Sequence, residues 1–338
     1  MKTKISIDPR NLPILVTLGL LVVMFAVGSV SFMGFLSPQN FLNLFIDNSY
    51  LLILGVGMTF VIISGGIDLS VGSALAFSTM LSSSLLQKSG WSPIFVIPTV
   101  LLAGIALGSF MGFIIQTFEL PPFIITLAGL YLARGLCYVI SIDTIGITNQ
   151  FWQDAAHAEF KVFGNNFISP SVVIALAVVA AGIYIARSTK FGRTVYAIGG
   201  NEQSAILMGL PVARTKIAIY AFSGFCSALA GIVFTFYTLS GYALNGQNME
   251  MDTIATVVIG GTLLTGGVGS ILGTVFGVLV YGTIQVLIVF QGTLNGWWTR
   301  IAIGFLVFLF CFMQRIFEAR KRKNKAKEKT LVPAAEEA

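Results

Sequence analysis

The segment Ile63-Ser64-Gly65-Gly66-Ile67-Asp68-Leu69-Ser70-Val71-Gly72 separates two apolar runs and indicates which kind of fold this chain adopts. The run before it, near residues 50–64, would rise only about 21 Å as a helix, against roughly 30 Å of bilayer hydrocarbon. The run after it covers about residues 70–86. A glycine pair and an acidic residue between two such runs predict a broken or re-entrant span whose turn is buried by neighbouring helices.

A second break of the same kind occurs late in the chain, at Thr265-Gly266-Gly267-Val268-Gly269-Ser270. The run before it, near residues 252–264, would rise only about 18 Å. The two breaks form a weak internal repeat, in which the second copy lacks four residues that correspond to Ile67–Ser70. Short, glycine-interrupted segments in corresponding positions are typical of a transporter core. Ordinary re-entrant turns buried by their neighbours are the alternative.

Outside these breaks the chain is strongly apolar. Of its 34 charged side chains, four lie in residues 1–12 and twelve in residues 314–338, which leaves 18 for the 301 residues between. Because a soluble domain carries about one charge in four residues, we predict an all-α, polytopic membrane protein. Its apolar runs predict about ten transmembrane helices, two of them short and glycine-interrupted, near residues 14–35, 50–64, 70–86, 94–117, 123–141, 170–187, 214–238, 252–264, 269–290 and 299–314.

The basic residues of the loops predict the orientation. The loop 187–216 carries five of them, whereas the loop 142–169 carries only Lys161, so the first is expected in the cytoplasm and the second outside. With ten spans, both termini are then cytoplasmic. The predicted organisation is a cytoplasmic segment 1–13, a transmembrane domain 14–314 that includes the cytoplasmic loop 187–216, and a basic tail 315–338 that would contact anionic membrane lipid.

Sequence patterns of common enzymes and of nucleotide or metal sites do not occur in the chain. Cys137, Cys226 and Cys311 lie in apolar runs without metal-ligand spacing, which predicts packing roles, and His157 lies in a polar loop. We therefore expect no catalytic residue, no metal site and no cofactor in this chain. The net charge of +6 does not indicate nucleic acid as a partner, because the basic residues after the last apolar run account for it.

Three charged residues are expected inside or at the edge of the membrane, where charges are costly and often functional. They are Asp68, Arg134 and Asp252. An Arg134–Asp252 ion pair is geometrically possible, and a structural role for all three weighs at least as much as contact with a substrate. The candidate translocation path consists of Ser64, Gly65, Gly66, Asp68, Arg134 and Asp252. So few acidic groups argue against a proton or sodium relay.

The cytoplasmic loop is predicted to contain a short helix. Asn201 suits an N-cap, Glu202–Met208 can form two turns, and Gly209 suits the left-handed position that ends a helix. We expect Ala205, Ile206 and Met208 to be exposed, so that the helix needs a docking partner in the cytoplasm. A simple interfacial helix is the alternative.

Three motifs carry a family resemblance. They are the segment Ile63–Gly72, the segment Val195–Asn201 with Ala205 and Met208–Gly209, and the segment Glu250–Ala255 followed by Val258–Thr262. Together they resemble the ribose-type branch of bacterial ABC sugar-import permeases, from Asn11 to about Gln314. Within that branch, Pro121–Gly129 and Gly296–Thr299 are similar to the second permease of galactofuranose importers.

The resemblance implies a permease subunit in the bacterial inner membrane that moves a pentose or furanose-form sugar, such as L-arabinose, galactofuranose or ribose. It implies a periplasmic sugar-binding protein, a cytoplasmic ATPase with two nucleotide-binding halves that holds ATP and Mg²⁺, and a second, different permease. It assigns coupling to the ATPase to Asn201, Glu202, Ala205, Met208 and Gly209. An ion-coupled secondary sugar carrier, and a membrane enzyme or scaffold, are the alternatives.

Overall fold

The structure is a computed structural model that describes residues 12–331 and the side chains of residues 14–315. This part of the chain is almost entirely helical. The helices are α1 Leu12–Ser31, α2 Pro38–Asp47, α3 Ser49–Ile63, α4 Val71–Gln87, α5 Pro93–Thr117, α6 Pro122–Ile140, α7 Gln150–His157, α8 Pro170–Ser188, α9 Lys190–Gly200, α10 Glu202–Leu207, α11 Val212–Thr238, α12 Met249–Ile259, α13 Ile271–Gln291 and α14 Gly296–Leu331. The strands are β1 Ile145–Gly146, β2 Phe160–Phe163, β3 Asn166–Ile168 and β4 Ser240–Gly241.

Each of the ten apolar runs contains a helix, but the helices differ in length. Within the described residues, seven are long and apolar enough to cross a membrane, and the pair α2 and α3, bent by 56°, makes up to eight. The other two, α4 and α12, have 17 and 11 residues. The chain is therefore a polytopic helical protein with seven or eight candidate spans by length. The count of ten and the cytoplasmic placement of the termini stay predictions.

Two of the predicted domain segments lie at the limits of the described chain. Residues 1–11 of the amino-terminal segment and residues 332–338 of the basic tail lie outside the described residues. The rest of the tail is not a separate unit in the backbone, because α14 continues as one helix to Leu331.

The core forms around α3, in which 14 of 15 residues are buried. It is enclosed by α8, α11, α12 and α13. Glycines four residues apart in one span predict close helix packing, and they occur at Gly104, Gly108 and Gly112 and at Gly269, Gly273 and Gly277. A side chain at Gly108 of α5 would overlap the backbone carbonyl of Tyr220 in α11, and one at Gly277 of α13 would overlap that of Thr256 in α12.

The loop between α6 and α8 folds against α11 and β4. The indole of Trp152 in α7 is fully buried and donates a 2.8 Å hydrogen bond to Thr235 of α11. Strand β1 of the same loop pairs with β4, while β2 and β3 form a separate hairpin. His157 ends α7 at an exposed position, and Cys137, Cys226 and Cys311 are free thiols in or beside the core. These placements confirm the packing role that was predicted for the cysteines.

Candidate coupling site and polar interior

The predicted short helix exists and is fixed at both ends. Asn201 ends α9 through its backbone N–H, and its side chain accepts a 2.7 Å hydrogen bond from the N–H of Ser204 in the first turn of α10. Gly209 has φ +73° and its N–H donates to the carbonyl of Ile206. The predicted N-cap and helix end are therefore confirmed. The prediction missed that residues 190–200 form a helix, α9, which leads directly into α10.

Ala205 of α10 is buried, whereas the sequence predicted it to be exposed. Its side chain is fully buried against Ile198 of α9 and Val212 of α11. The expectation that Ala205 is exposed is wrong, because this small side chain is the residue of α10 that packs between α9 and α11. The exposed residues are Ile206, Leu207 and Met208, with Leu207 88% exposed.

An ion pair joins α10 to the next helix. Lys216 Nζ of α11 lies 2.5 Å from Glu202 Oε1 in the first turn of α10. Both side chains are partly exposed, so the pair contributes about 0–1 kcal/mol to stability. It sets where α10 lies relative to α11, and it gives Glu202 a contact within this chain.

Three glycine pairs meet at the end of the bundle that is predicted to be cytoplasmic. A side chain at Gly199 of α9 would overlap the carbonyl oxygen of Ile63, the last residue of α3, and would lie 2.5 Å from the N–H nitrogen of Gly267. That N–H donates a 2.8 Å hydrogen bond to the same carbonyl. A side chain at Gly266 would lie 3.0 Å from the Cα of Gly65. We call this meeting point of Gly65–Gly66, Gly199–Gly200 and Gly266–Gly267 the glycine contact.

A tyrosine holds α9 on the same meeting point. The Tyr196 hydroxyl donates a 2.9 Å hydrogen bond to the carbonyl oxygen of Gly269, in the turn before α13. Burial raises the pKa of this phenol, an effect that Arg187 partly opposes, so that it is the protonated, donating form at neutral pH. Helix α9 is thus fixed to the ends of both short helices, and α10 is fixed to α9.

The signature segment after α3 forms the turn itself. Gly65 has φ +85°, a left-handed conformation that glycine adopts without strain, and the Ser64 hydroxyl donates to the carbonyl of Val61. Gly66 lies against the Tyr220 hydroxyl, which is 2.5 Å from the position of a side chain there. The structure therefore brings Ser64, Gly65 and Gly66 together in one turn, in which Gly66 is buried, Ser64 is partly buried and Gly65 is exposed.

Asp68 fixes the beginning of the next helix. It is 1% exposed, and its Oδ1 accepts hydrogen bonds from the N–H and the hydroxyl of Ser70 at 2.9 and 2.6 Å. Its Oδ2 accepts a 2.7 Å hydrogen bond from the Ser223 hydroxyl of α11. Both carboxylate oxygens thus have partners within the chain, and the side chain ties the amino terminus of α4 to α11.

Arg134 holds a non-helical segment inside the bundle. Its Nη1 donates to the carbonyl oxygens of Ala243 and Asn245, the second at 2.8 Å. These residues belong to the segment 242–248 between β4 and α12, which runs along α4: Gly246 packs on the carbonyl of Gly72, and Asn245 donates to the Thr79 hydroxyl. Backbone without helical hydrogen bonds is tolerated at membrane depth only where the protein satisfies it. Ala243 and Gly246 are buried, whereas Tyr242, Leu244, Gln247 and Asn248 are exposed. We call residues 242–248 the buried segment after the first two.

The Arg134–Asp252 pair does not form. Arg134 donates hydrogen bonds to the buried segment. Asp252 lies beside the Tyr281 hydroxyl, and the positive charge near this carboxylate is that of Arg300. The acidic residue that Arg134 acts on is Glu250, in the first turn of α12. The sequence-based reasoning missed Glu250 and the buried segment as parts of this interior, because the predicted span began at residue 252, whereas α12 begins at Met249.

Glu250 is a buried acidic residue with an oxygen that is unpartnered within the described chain. Its side chain is 7% exposed, and its Oε2 has no hydrogen-bond partner among the described residues. A side chain at Gly72 would lie 2.5 Å from this oxygen, so the close approach of α4 and α12 depends on that glycine. The nearby charge of Arg134 opposes the cost of burying the carboxylate.

The interior of the chain is tightly filled near these groups. The cavity between α4, α5 and α6, bordered by Ser70, Met111 and Gly129, has a volume of about 10 Å³, which is the space of a single water. No group of three or more His, Cys, Asp or Glu side chains among the described residues is placed to hold a metal ion.

A bundle of membrane-length helices in which two shorter helices end at touching glycine turns is typical of a transport permease. The exposed helix fixed to those turns adds a site for a partner outside the membrane. In comparisons with known proteins, residues 40–311 match the family described as the permease component of branched-chain amino acid transport systems. The chain belongs to this family of transport permease components.

Curated relatives cover nearly the whole chain. It is 48% identical over 306 residues to the inner membrane ABC transporter permease protein YjfF of Escherichia coli, covering 90% of this chain and 92% of that protein. It is 38% identical over 320 residues to the fructose import permease protein FruG of Bifidobacterium longum, covering 93% and 94%. It is 40% identical over 266 residues to the ribose import permease protein RbsC of Haemophilus influenzae, covering 78% and 81%. No solved structure matches the chain significantly. The chain is a multi-pass protein of the inner membrane.

Proposed function

We propose that the chain is the permease subunit of an ABC importer that carries a pentose or furanose-form monosaccharide across the inner membrane by alternating access. The observation that carries the proposal is the fixed connection from the exposed face of α10, through α9, to the glycine contact. Such a connection lets a cytoplasmic motor act on the two short helices. The substrate class rests on relatives that are named for ribose, fructose and L-arabinose import.

The motor is a cytoplasmic ATPase with two nucleotide-binding halves, which holds ATP and Mg²⁺. In this proposal the exposed Ile206, Leu207 and Met208 dock in a groove of the ATPase. Asn201 and Gly209 set the length of the docking helix, Ala205 fixes it to the permease, and Glu202 holds it to α11. ATP-driven closure of the ATPase then displaces α10 and α9 as one unit and moves the ends of α3 and α12.

The complex contains two further partners. A periplasmic sugar-binding protein selects the sugar and delivers it to the outer side, and a second, different permease completes the path. The tight packing beside Gly129, where the cavity holds a single water, supports a path between two subunits over one through this chain. The candidates for the sugar are L-arabinose, galactofuranose and ribose, and a weak, low-specificity path suffices because the binding protein selects.

The experiment compares cells with and without this gene for uptake of labelled L-arabinose, galactofuranose and ribose, with labelled leucine as the amino acid that the family description suggests. We expect the loss of one sugar only. The proton gradient is then collapsed while ATP is kept. Continued uptake supports an ATP-driven importer, whereas loss of uptake supports the ion-coupled secondary carrier and overturns the proposal.

A variant tests the coupling helix directly. Gly209→Asp places a side chain in a left-handed position and a charge beside the docking face. We expect a membrane-inserted protein that no longer supports uptake or sugar-stimulated ATP hydrolysis. Normal uptake by this variant would remove the assignment of α10 as the coupling helix.

A further inference from the structure

The outward face of α6 has an unusual composition for a surface in lipid. Its exposed residues include small side chains and two tyrosines. Beyond Phe123 and Ile124 in the first turn, the exposed residues are Ala128, Tyr131, Leu132, Gly135, Tyr138 and Val139. We call this surface the α6 face.

Helix α14 offers a comparison within the same molecule. Its exposed residues are Trp297 and Trp298 at the amino-terminal end, followed by Ile301, Phe305, Phe308 and Phe312. Tryptophan at the end of a span and hydrocarbon side chains along it are what a lipid-facing helix carries. The α6 face departs from this pattern at its centre.

The departure is clearest at Tyr131. It is the tenth of the 19 residues of α6, its side chain is 70% exposed, and its hydroxyl makes no hydrogen bond to any described residue. In the middle of the hydrocarbon a hydroxyl without a partner costs about 1–3 kcal/mol. A polar partner from outside this chain would remove this cost at Tyr131, and lipid tails do not supply one.

The geometry around Tyr131 describes an open notch. Tyr131, Gly135 and Tyr138 follow at i, i+4 and i+7, so they lie on one side of the helix, with the tyrosines about 10 Å apart along its axis. No atom lies within 4 Å of the position where a side chain at Gly135 would begin. The notch thus has two aromatic walls that each carry a hydroxyl, and an empty floor.

These features match the chemistry of a monosaccharide. The C–H faces of a sugar ring pack on aromatic rings, and its hydroxyls exchange hydrogen bonds with phenols. We propose that the notch of Tyr131, Gly135 and Tyr138 lines the sugar path and forms one half of a low-affinity monosaccharide site, which the second permease closes from the other side. This assignment rests on the proposed function, and it adds which surface of the chain meets the sugar.

The inner side of the same helix supports the assignment. Arg134, between the two tyrosines, reaches inward and holds the buried segment. The α6 face is therefore supported from behind by the polar interior around the buried segment.

The test uses the whole transporter with its partners, and uptake of the sugar identified above. Gly135→Leu fills the notch and is expected to reduce uptake about tenfold or more, because added side-chain volume has no space once the second permease is in place. Tyr131→Phe removes one hydroxyl and is expected to raise the KM of uptake about fivefold, the effect of one lost hydrogen bond. Phe308→Leu on α14 is the control, with wild-type uptake expected.

The outcomes separate this inference from the proposed function. If the wild-type complex transports no sugar, the proposed function fails. If the wild type transports sugar and both α6 variants equal Phe308→Leu at equal membrane levels, the α6 face is a lipid surface and the inference is wrong.

A labelling experiment covers the case in which Gly135→Leu does not insert. In Gly135→Cys, a membrane-impermeant maleimide is expected to react, and added sugar is expected to slow the reaction. Reaction with a lipid-soluble maleimide alone would overturn the inference.

Discussion

Non-helical backbone packs against the helices of this bundle at two places, and the two are stabilised in opposite ways. At the glycine contact, the turns after α3 and α12 touch the end of α9 because Gly199 and Gly266 carry no side chains. In the buried segment, one long side chain, Arg134, supplies hydrogen bonds to carbonyls that no helix satisfies. The first region depends on the absence of side chains and the second on the presence of one. The glycine contact is thus a close backbone contact that can transmit movement, and the buried segment is a polar support.

The largest effect is expected from Gly199→Ala. The added carbon would overlap the carbonyl oxygen of Ile63, so α9 must separate from α3, at a cost of about 3 kcal/mol in the free energy of unfolding. We expect a lower Tm in detergent and loss of uptake. The neighbouring Gly200→Ala is the matched control, because nothing lies within 4 Å of its added carbon. Equal Tm and uptake for the two variants would show that the glycine contact does not require close approach.

The next effect is expected from Arg134→Met. This change leaves the carbonyls of Ala243 and Asn245 without their donor and Glu250 without its nearby cation, and is expected to cost about 2 kcal/mol. The measurement is the Tm of the purified protein.

A double mutant sharpens the interpretation of Arg134. Adding Glu250→Gln should restore part of the lost stability, because the uncompensated buried charge is then removed. Adding Asp252→Asn should restore none, since Asp252 lies beside Tyr281 and not beside Arg134. Purely additive effects with Glu250→Gln would show that Arg134 and Glu250 are not coupled.

The smallest effect is expected from Lys216→Ala, which removes the ion pair with Glu202. Because both side chains are partly exposed, the free energy of unfolding should change by about 0–1 kcal/mol, and sugar-stimulated ATP hydrolysis by about twofold at most. Arg214→Ala, an exposed basic residue in the same turn, is the control. A Lys216→Ala variant that matches this control in ATP hydrolysis would show that the pair does not position α10.

Sequence reasoning succeeded where a feature depends on neighbours in the chain. Asn201 and Gly209 are correct as the limits of α10, since a cap needs only a side chain that reaches the next turn and a residue that adopts positive φ. The glycine spacing of α5 likewise predicted close helix packing, which the contact between Gly108 and Tyr220 confirms.

Sequence reasoning failed where residues that meet only in the folded chain determine the burial or the partner of a side chain. The buried direction of Ala205 is set by Ile198 and Val212, which precede and follow α10 and meet it only in the folded chain. Arg134 was expected to pair with Asp252, because opposite charges attract and no carbonyl of the buried segment can be identified from sequence. In the folded chain the guanidinium of Arg134 donates instead to the carbonyls of Ala243 and Asn245, which lack helical partners and need a donor.

The sequence by itself determined that this chain is a helical membrane protein with two shortened helices that end at glycine turns, and that a short capped helix follows Gly199–Gly200. Hydrophobic run length, glycine pairs and caps are local properties, and the bilayer and the backbone impose them directly. Only the tertiary structure decided that the three glycine pairs touch, that Arg134 holds the buried segment, and that Tyr131 has no partner within the described chain. Those facts depend on which backbone atoms lie opposite one another across helices, and packing of the whole bundle sets that arrangement.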